Sequence, residues 1–220
     1  MNKPEATVRI LEKISKVNDV IASENRSDFR ARRLSVVNVL GSPGSGKTTL
    51  IAATAERLGG RSVAVIEGDV AGRVDADFLA SKGLPAVQIN TGGGCHLDAG
   101  MVREAMRELA AHDGAIVFVE NVGNLICTAG YDLGERVRVL ALSTPEGDDK
   151  PYKYPGIFAG AEVLLITKSD LAPYVGFDAE ALKERARSLN PDLVIFEVCA
   201  RSGEGMDAWR DWLAARCGEE

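Results

Sequence analysis

Residues 41–49 read Gly41-Ser42-Pro43-Gly44-Ser45-Gly46-Lys47-Thr48-Thr49 and come directly after the apolar run Val36-Val37-Asn38-Val39-Leu40. A strand that runs into this spacing of glycines, and then into Lys-Thr, leaves few folds open. It predicts a loop that wraps a phosphate and hands the chain on to a helix. The glycines let successive N–H groups curl inward toward an anion, and the helix after them adds the positive end of its dipole. In that geometry Lys47 reaches the β- and γ-phosphates of a nucleoside triphosphate and Thr48 holds Mg²⁺.

The rest of the chain fits the fold that such a loop requires. Short β-branched runs at Leu34–Leu40, Ser62–Ile66, Ala86–Asn90, Ala115–Glu120, Val137–Leu142, Val163–Thr167 and Leu193–Val198 alternate with helical stretches. This rhythm predicts an α/β P-loop NTPase fold, a mostly parallel sheet with helices on both faces. Ahead of it, Val8, Leu11, Ile14, Val17 and Ile21 recur at three to four residues, which predicts an amphipathic helix packed on the sheet domain. The division expected is therefore a helical segment at 1–33 and one domain at 34–220, a size suited to a single core. Ser143–Gly156, rich in Pro, Gly and Asp, is expected to be a long loop. The last helix, Glu204–Arg216, carries Trp209, Trp212 and Leu213 at helical spacing and is expected to turn them inward.

A net charge of -6 leaves no excess of Lys and Arg to displace counterions, so nucleic acid is not an expected partner. No run of 18 apolar residues and no secretory leader is visible, so membrane insertion is not expected and the expected compartment is the cytoplasm. In a reducing compartment the four cysteines, Cys95, Cys127, Cys199 and Cys217, are expected as ligands or buried thiols before disulfides.

Further motifs stand at the ends of the predicted strands. Glu120-Asn121-Val122-Gly123 closes one of them, with an acid to hold a Mg²⁺ water and a glycine N–H for the γ-phosphate, so hydrolysis would release the loop beyond Gly123. Glu67-Gly68-Asp69, with Asp75 beyond, offers a second carboxylate for Mg²⁺ or for a water; either Asp69 or Asp75 fills that role. Thr167-Lys168-Ser169-Asp170 stands where a base-reading loop belongs. The Asp170 carboxylate accepts from N1–H and the exocyclic amine of guanine, whereas adenine offers it neither, so GTP is favoured over ATP. Thr167 replaces the usual Asn and has a shorter reach, which loosens that selectivity. The backbone N–H of Ala200 is placed to meet guanine O6, while Cys199 beside it is expected to be a packed small residue.

Thr91-Gly92-Gly93-Gly94-Cys95-His96 precedes the helical segment Asp98–Ala110, and Cys127 lies four residues after Gly123. Two thiols and an imidazole suit Zn²⁺ or Ni²⁺. Three ligands leave a tetrahedral ion incomplete, and a two-fold partner would complete it. His112 is expected at the surface.

Taken together, the phosphate loop, Glu67-Gly68-Asp69, Gly94-Cys95-His96-Leu97-Asp98-Ala99, Glu120–Asn124, Glu146–Pro155 and Thr167–Leu171 resemble, in order and across most of the chain, the HypB family of [NiFe]-hydrogenase maturation GTPases. The resemblance implies slow GTP hydrolysis, a homodimer formed on GTP and metal binding, and Ni²⁺ or Zn²⁺ carried between subunits at Cys95, His96 and Cys127. It also implies work with a HypA-type nickel protein and the hydrogenase large subunit, and a cross-dimer nucleotide contact by Lys153. The urease accessory GTPase UreG is similar in plan but usually has Cys-Pro-His, whereas Cys95 and His96 are adjacent. Neither the N-terminal cysteine-rich site nor the histidine-rich stretch of some family members is visible, so storage of several nickel ions is not expected. The rival readings are a urease-type nickel GTPase, a P-loop small-molecule kinase, and a zinc-stabilised scaffold that does not turn nucleotide over.

Overall fold

The apolar runs are too short for helices and too uniformly apolar for a half-exposed strand, so burial on both faces is the way they escape water. The computed structural model, which describes residues 3–69, 72 and 74–218, with side chains from residue 16 onward, places all seven in one sheet. In chain order the elements are α1 (Lys3–Ala31), β1 (Ser35–Gly41), α2 (Lys47–Arg57), β2 (Val63–Asp69), α3 (Val74–Ser81), β3 (Ala86–Asn90), α4 (Ala99–Glu108) and β4 (Ile116–Glu120). They continue with β5 (Val137–Ser143), α5 (Lys150–Lys153), α6 (Pro155–Gly160), β6 (Val163–Thr167), α7 (Ala172–Val175), α8 (Ala179–Leu189), β7 (Val194–Val198) and α9 (Met206–Arg216).

The strand order is β3-β2-β4-β1-β5-β6-β7, and every pairing is parallel. Because side chains alternate along a strand, β1 serves both faces. Val37 and Val39 join Leu50 and Ile51 of α2, Leu79 of α3, and Trp209 and Leu213 of α9. On the opposite face Val36 packs with Phe29, Val102 and Met106, and Leu40 with Ile157, Phe158 and Leu182. Trp209 is buried, and its Nε1–H donates to Thr54 Oγ1 at 2.9 Å, so α9 is tied to α2 by a hydrogen bond as well as by packing. Trp212 is partly buried against the same cluster.

Two expectations are corrected. The segment 143–156 is no open loop: it forms a 3₁₀ turn at Thr144–Glu146, then α5 and the start of α6, with prolines at the first helical positions. Proline there loses no hydrogen bond, because the first N–H groups of a helix are unpaired anyway. The face that α1 buries also differs. The side chains of Val8, Leu11 and Ile14 lie outside the described residues; Ile21 is half-buried, but Val17 is 60% exposed, and the fully inward stripe is Asn18, Ala22, Asn25 and Phe29. Phe29 packs on side chains, whereas the two asparagines reach backbone groups. Asn18 accepts from Ala99 N–H and donates to Asp132 O, and Asn25 donates to Ala99 O and Leu133 O. Buried backbone groups at a helix start and in a loop need partners, and α1 supplies them.

Since all strands run one way, their C-terminal ends share one edge. Gly41, Asp69, Asn90, Glu120, Ser143, Thr167 and Val198 all end there, and the central β1 lies where the chain reverses its direction of growth across the sheet. In open α/β sheets that crevice is where ligands sit.

Candidate functional site

The phosphate loop leaves β1 and enters α2 through Gly46 as N-cap. It is braced from the far side of the edge: Thr167 Oγ1 donates to Ser45 O at 2.6 Å, and Lys168 Nζ to Gly44 O at 2.7 Å. The Thr167 hydroxyl thus holds the loop, and its short reach suits that bond. Gly123 approaches from β4 so closely that a Cβ there would lie 2.8 Å from Pro43 N and Cγ. Only glycine permits the contact.

A cavity of about 620 Å³ opens above these elements, lined by Pro43, Gly44, Gly46, Lys47, Thr48, Thr49, Asp69, Asp75, Glu120 and Gly123, among others. Gly41, Ser42 and Ser45 form the loop without lining it; Ser42 O accepts from Lys47 Nζ at 3.2 Å. Thr48 Oγ1 donates to Glu120 Oε1 at 2.9 Å. Asp75 stands in the first turn of α3, whereas Asp69 Oδ2 accepts from Gly72 N–H. Both candidate carboxylates therefore face the same space.

In the sequence Glu67 stands out only as part of an acidic run, yet it is the register partner of Glu120 across β2 and β4. Both carboxylates are buried, and the Oε2 of each has no hydrogen-bond partner. Burial, then the nearby Glu120, pushes Glu67 up to about 8; burial pushes Glu120 up to about 7 against the pull of Lys47. Burial likewise lowers Lys47 from its ordinary value, opposed by Glu120 and Asp75. Two orphaned carboxylate oxygens beside a threonine hydroxyl form a hard-oxygen donor set, the chemistry that suits a hydrated divalent cation such as Mg²⁺.

A second cavity of about 340 Å³ adjoins the first and is lined by Gly46, Thr49, Thr167, Lys168, Asp170, Cys199, Ala200 and Arg201. The residues expected to read the base thereby line one cavity beside the phosphate loop. Cys199 is buried and His112 exposed. Lys153 lines neither cavity; it is exposed at the end of α5 and pairs with Asp149 at 2.5 Å.

The soft ligands are brought together in part. The Cys127 thiol lies near the Cys95 thiol, and this neighbour, more than burial, raises the Cys127 pKa. His96 Nδ1 lies 3.7 Å from Cys95 Sγ, and its ring stacks on Tyr131 with centroids 3.8 Å apart. Among the described residues no three His, Cys, Asp or Glu side chains form a group able to hold a metal ion. One chain therefore presents a thiol pair with an imidazole beside it.

Sequence reasoning alone does not single out Tyr131, Asn121 or Asn124. The two asparagines lie inside the Glu120–Asn124 motif, but their partners come from other loops.

Residues 35–197 match the model of the CobW/HypB/UreG nucleotide-binding domain. The chain is 50% identical, over 96% of its length and 70% of the relative's, to a hydrogenase maturation factor HypB of Azotobacter chroococcum. It is 48% identical to the Escherichia coli HypB, over 97% of this chain and 73% of that one. Among solved structures, HypB from Helicobacter pylori in complex with nickel superposes with a TM-score of 0.86 at 35% identity, covering 91% of this chain and 95% of that one.

Proposed function

The chain belongs to the CobW/HypB/UreG family, in its HypB branch, and from that premise we propose that it is a GTP-hydrolysing nickel carrier for [NiFe]-hydrogenase maturation. Its cargo ion would be shared between two subunits. The observation that carries this reading is that Cys127, near the Cys95-His96 pair, lies only four residues beyond Gly123, the glycine packed against the phosphate loop. A loop placed to feel the terminal phosphate thus also presents sulfur.

In the proposed cycle the backbone N–H groups of residues 41–49 cradle the phosphates, Lys47 neutralises the β,γ-bridge, and Asp170 with Ala200 N–H reads guanine. Mg²⁺, held by Thr48 with Asp75 and Glu120, would offset charge on the transferring phosphoryl group. Asp69 or Asp75 aligns the attacking water. The N–H of Gly123 senses the γ-phosphate, and its loss on hydrolysis frees the 120–127 segment. Lys153 leaves Asp149 to reach the partner's nucleotide, so the GTP state favours the dimer. Cys95, Cys127 and His96 from two chains surround Ni²⁺ or Zn²⁺, and delivery to the hydrogenase large subunit proceeds with a HypA-type partner. The expected compartment is the cytoplasm.

Phosphate release from GTP and from ATP, measured for the wild type and Thr48→Ala, tests the enzyme half. GTP hydrolysis lost in the variant is the expected result, and a phosphorylated small molecule in place of free phosphate would point to a kinase. Nickel titration of the wild type and Cys127→Ala tests the carrier half, with binding expected to drop at least about tenfold, the equivalent of 1.4 kcal/mol. Unchanged nickel affinity in Cys127→Ala would remove that half.

A further inference from the structure

A carrier switched by nucleotide needs a mechanical connection between the phosphate site and its sulfur ligands, and two asparagines in the 120–124 run make such connections. Asn124 donates its N–H to Gly41 O, in the first residue of the phosphate loop, at 3.1 Å. Its side-chain Oδ1 accepts from the N–H of Ile126 at 2.7 Å and from that of Cys127 itself at 2.8 Å. Thr128 Oγ1 donates back to Asn124 O. One residue therefore grips the phosphate loop with its backbone and the metal-ligand backbone with its amide oxygen.

Asn121 does the same for the other loop. It is buried, and its N–H donates to Val39 O of β1. Its Oδ1 accepts from Leu97 N–H at 3.1 Å, next to His96, while its Nδ2 is held by Asn38 Oδ1. Leu97 is itself clamped, because a Cβ on Gly68 would come within 2.7 Å of its Cδ1. The Cys95-His96 loop is thus seated between the ends of β2 and β4, the two strands that carry the acidic residues of the cavity.

We propose that Asn124, with Asn121 as its counterpart for the Cys95-His96 loop, is the positioning residue that converts movement of the 120–123 segment into movement of the Cys127 sulfur. Asn124 lines neither cavity; Asn121 borders the nucleotide cavity, but its side chain is engaged by Leu97 N–H and Asn38 Oδ1. The inference rests on the proposed nickel-carrier reading and goes beyond it by naming the transmitting bonds. A local turn role alone would leave the two nucleotide states equally good or equally poor at binding metal. A transmitting role changes their ratio.

The test measures Ni²⁺ affinity by calorimetry in the GDP form and with a non-hydrolysable GTP analogue, for the wild type, Asn124→Ala and Asn124→Asp. Coupling in proteins typically spans 5–150-fold, so the wild-type affinities are expected to differ between states by at least about fivefold, and Asn124→Ala to bring the ratio within about twofold of unity. Asp keeps the oxygen that accepts from Ile126 and Cys127, so Asn124→Asp is expected to restore the ratio. A wild type with equal affinities in both states would defeat the carrier switch itself, before the asparagines are at issue. A coupled wild type whose Asn124→Ala keeps the full ratio, or whose Asn124→Asp fails to restore it, overturns the assignment of Asn124. If Asn124→Ala loses nucleotide binding, Asn124→Ser takes its place: one hydroxyl cannot grip both N–H groups, and a full ratio in that variant is equally fatal.

Discussion

At the scale of single residues, the nucleotide cavity is governed by close approach and by buried charge. Gly123→Ala would put a methyl group 2.8 Å from Pro43 N, and that atom is backbone, so the phosphate loop must yield. Nucleotide affinity is expected to fall at least about tenfold, or 1.4 kcal/mol, read with a fluorescent guanine nucleotide. An unchanged affinity would mean that the two loops separate freely. Glu67 gives a prediction in pH. Its carboxyl is pushed from the ordinary 4.5 up to about 8, chiefly by burial and then by Glu120. Between these values the unfolded chain releases the proton while the folded chain keeps it, so the Glu67 contribution to stability falls as pH rises and levels off above about 8. Gln carries no such proton. The melting temperature of nucleotide-free Glu67→Gln, relative to the wild type, should therefore rise from pH 5 to pH 8. A difference that is flat across that range would show that Glu67 is ionised in the empty cavity.

Elements divide into those whose partners the sequence reveals and those whose partners it hides. The inner strands were legible because burial on both faces leaves continuous apolar runs, and the edge strands β3 and β7 through short β-branched stretches; the candidate motifs at 41–49, 120–123 and 167–170 stood out because each is contiguous. Pairings across elements were not: the register that sets Glu67 against Glu120, and the stacking of His96 on Tyr131, depend on where separate segments come to rest. The prolines at 151 and 155 read as helix breakers, yet at the second and first helical positions they sit where no helical hydrogen bond is lost. The rhythm in α1 misled at Val17 for a different reason, since part of the surface α1 covers is made of backbone groups that asparagine satisfies better than valine. Asn25→Ala tests that account. It removes the donor to Ala99 O and Leu133 O, and the acceptor for Arg103 Nε. Leaving such buried groups unpaired costs about 2–3 kcal/mol, expected as a lower urea midpoint at unchanged slope. A shift near zero would mean that α1 is held by Phe29 and its neighbours alone.

For the whole molecule the decisive quantity is the number of metal ions per chain. A tetrahedral Zn²⁺ takes four protein ligands in a closed site, and Ni²⁺ in thiolate surroundings also favours four. One chain offers the neighbouring Cys95 and Cys127 thiols, with the His96 ring turned onto Tyr131 and, among the described residues, no group of three ligands. A second copy related by a two-fold axis would bring an identical pair to the same ion, since an isologous interface presents the same patch from both sides. Each chain carries a formal charge of -6, so association works against like-charge repulsion, and binding a divalent cation at the contact offsets part of it. Saturation with Ni²⁺ in the presence of a non-hydrolysable GTP analogue is therefore expected at about one ion per two chains, together with a doubling of the solution mass measured by light scattering. Cys127→Ala should abolish this saturation and, with it, the part of the mass increase that depends on Ni²⁺, whereas association driven by the GTP analogue alone should persist. Saturation at one ion per chain, with the mass of a single chain, would show instead that each subunit completes its own coordination and that the shared-ion arrangement is wrong.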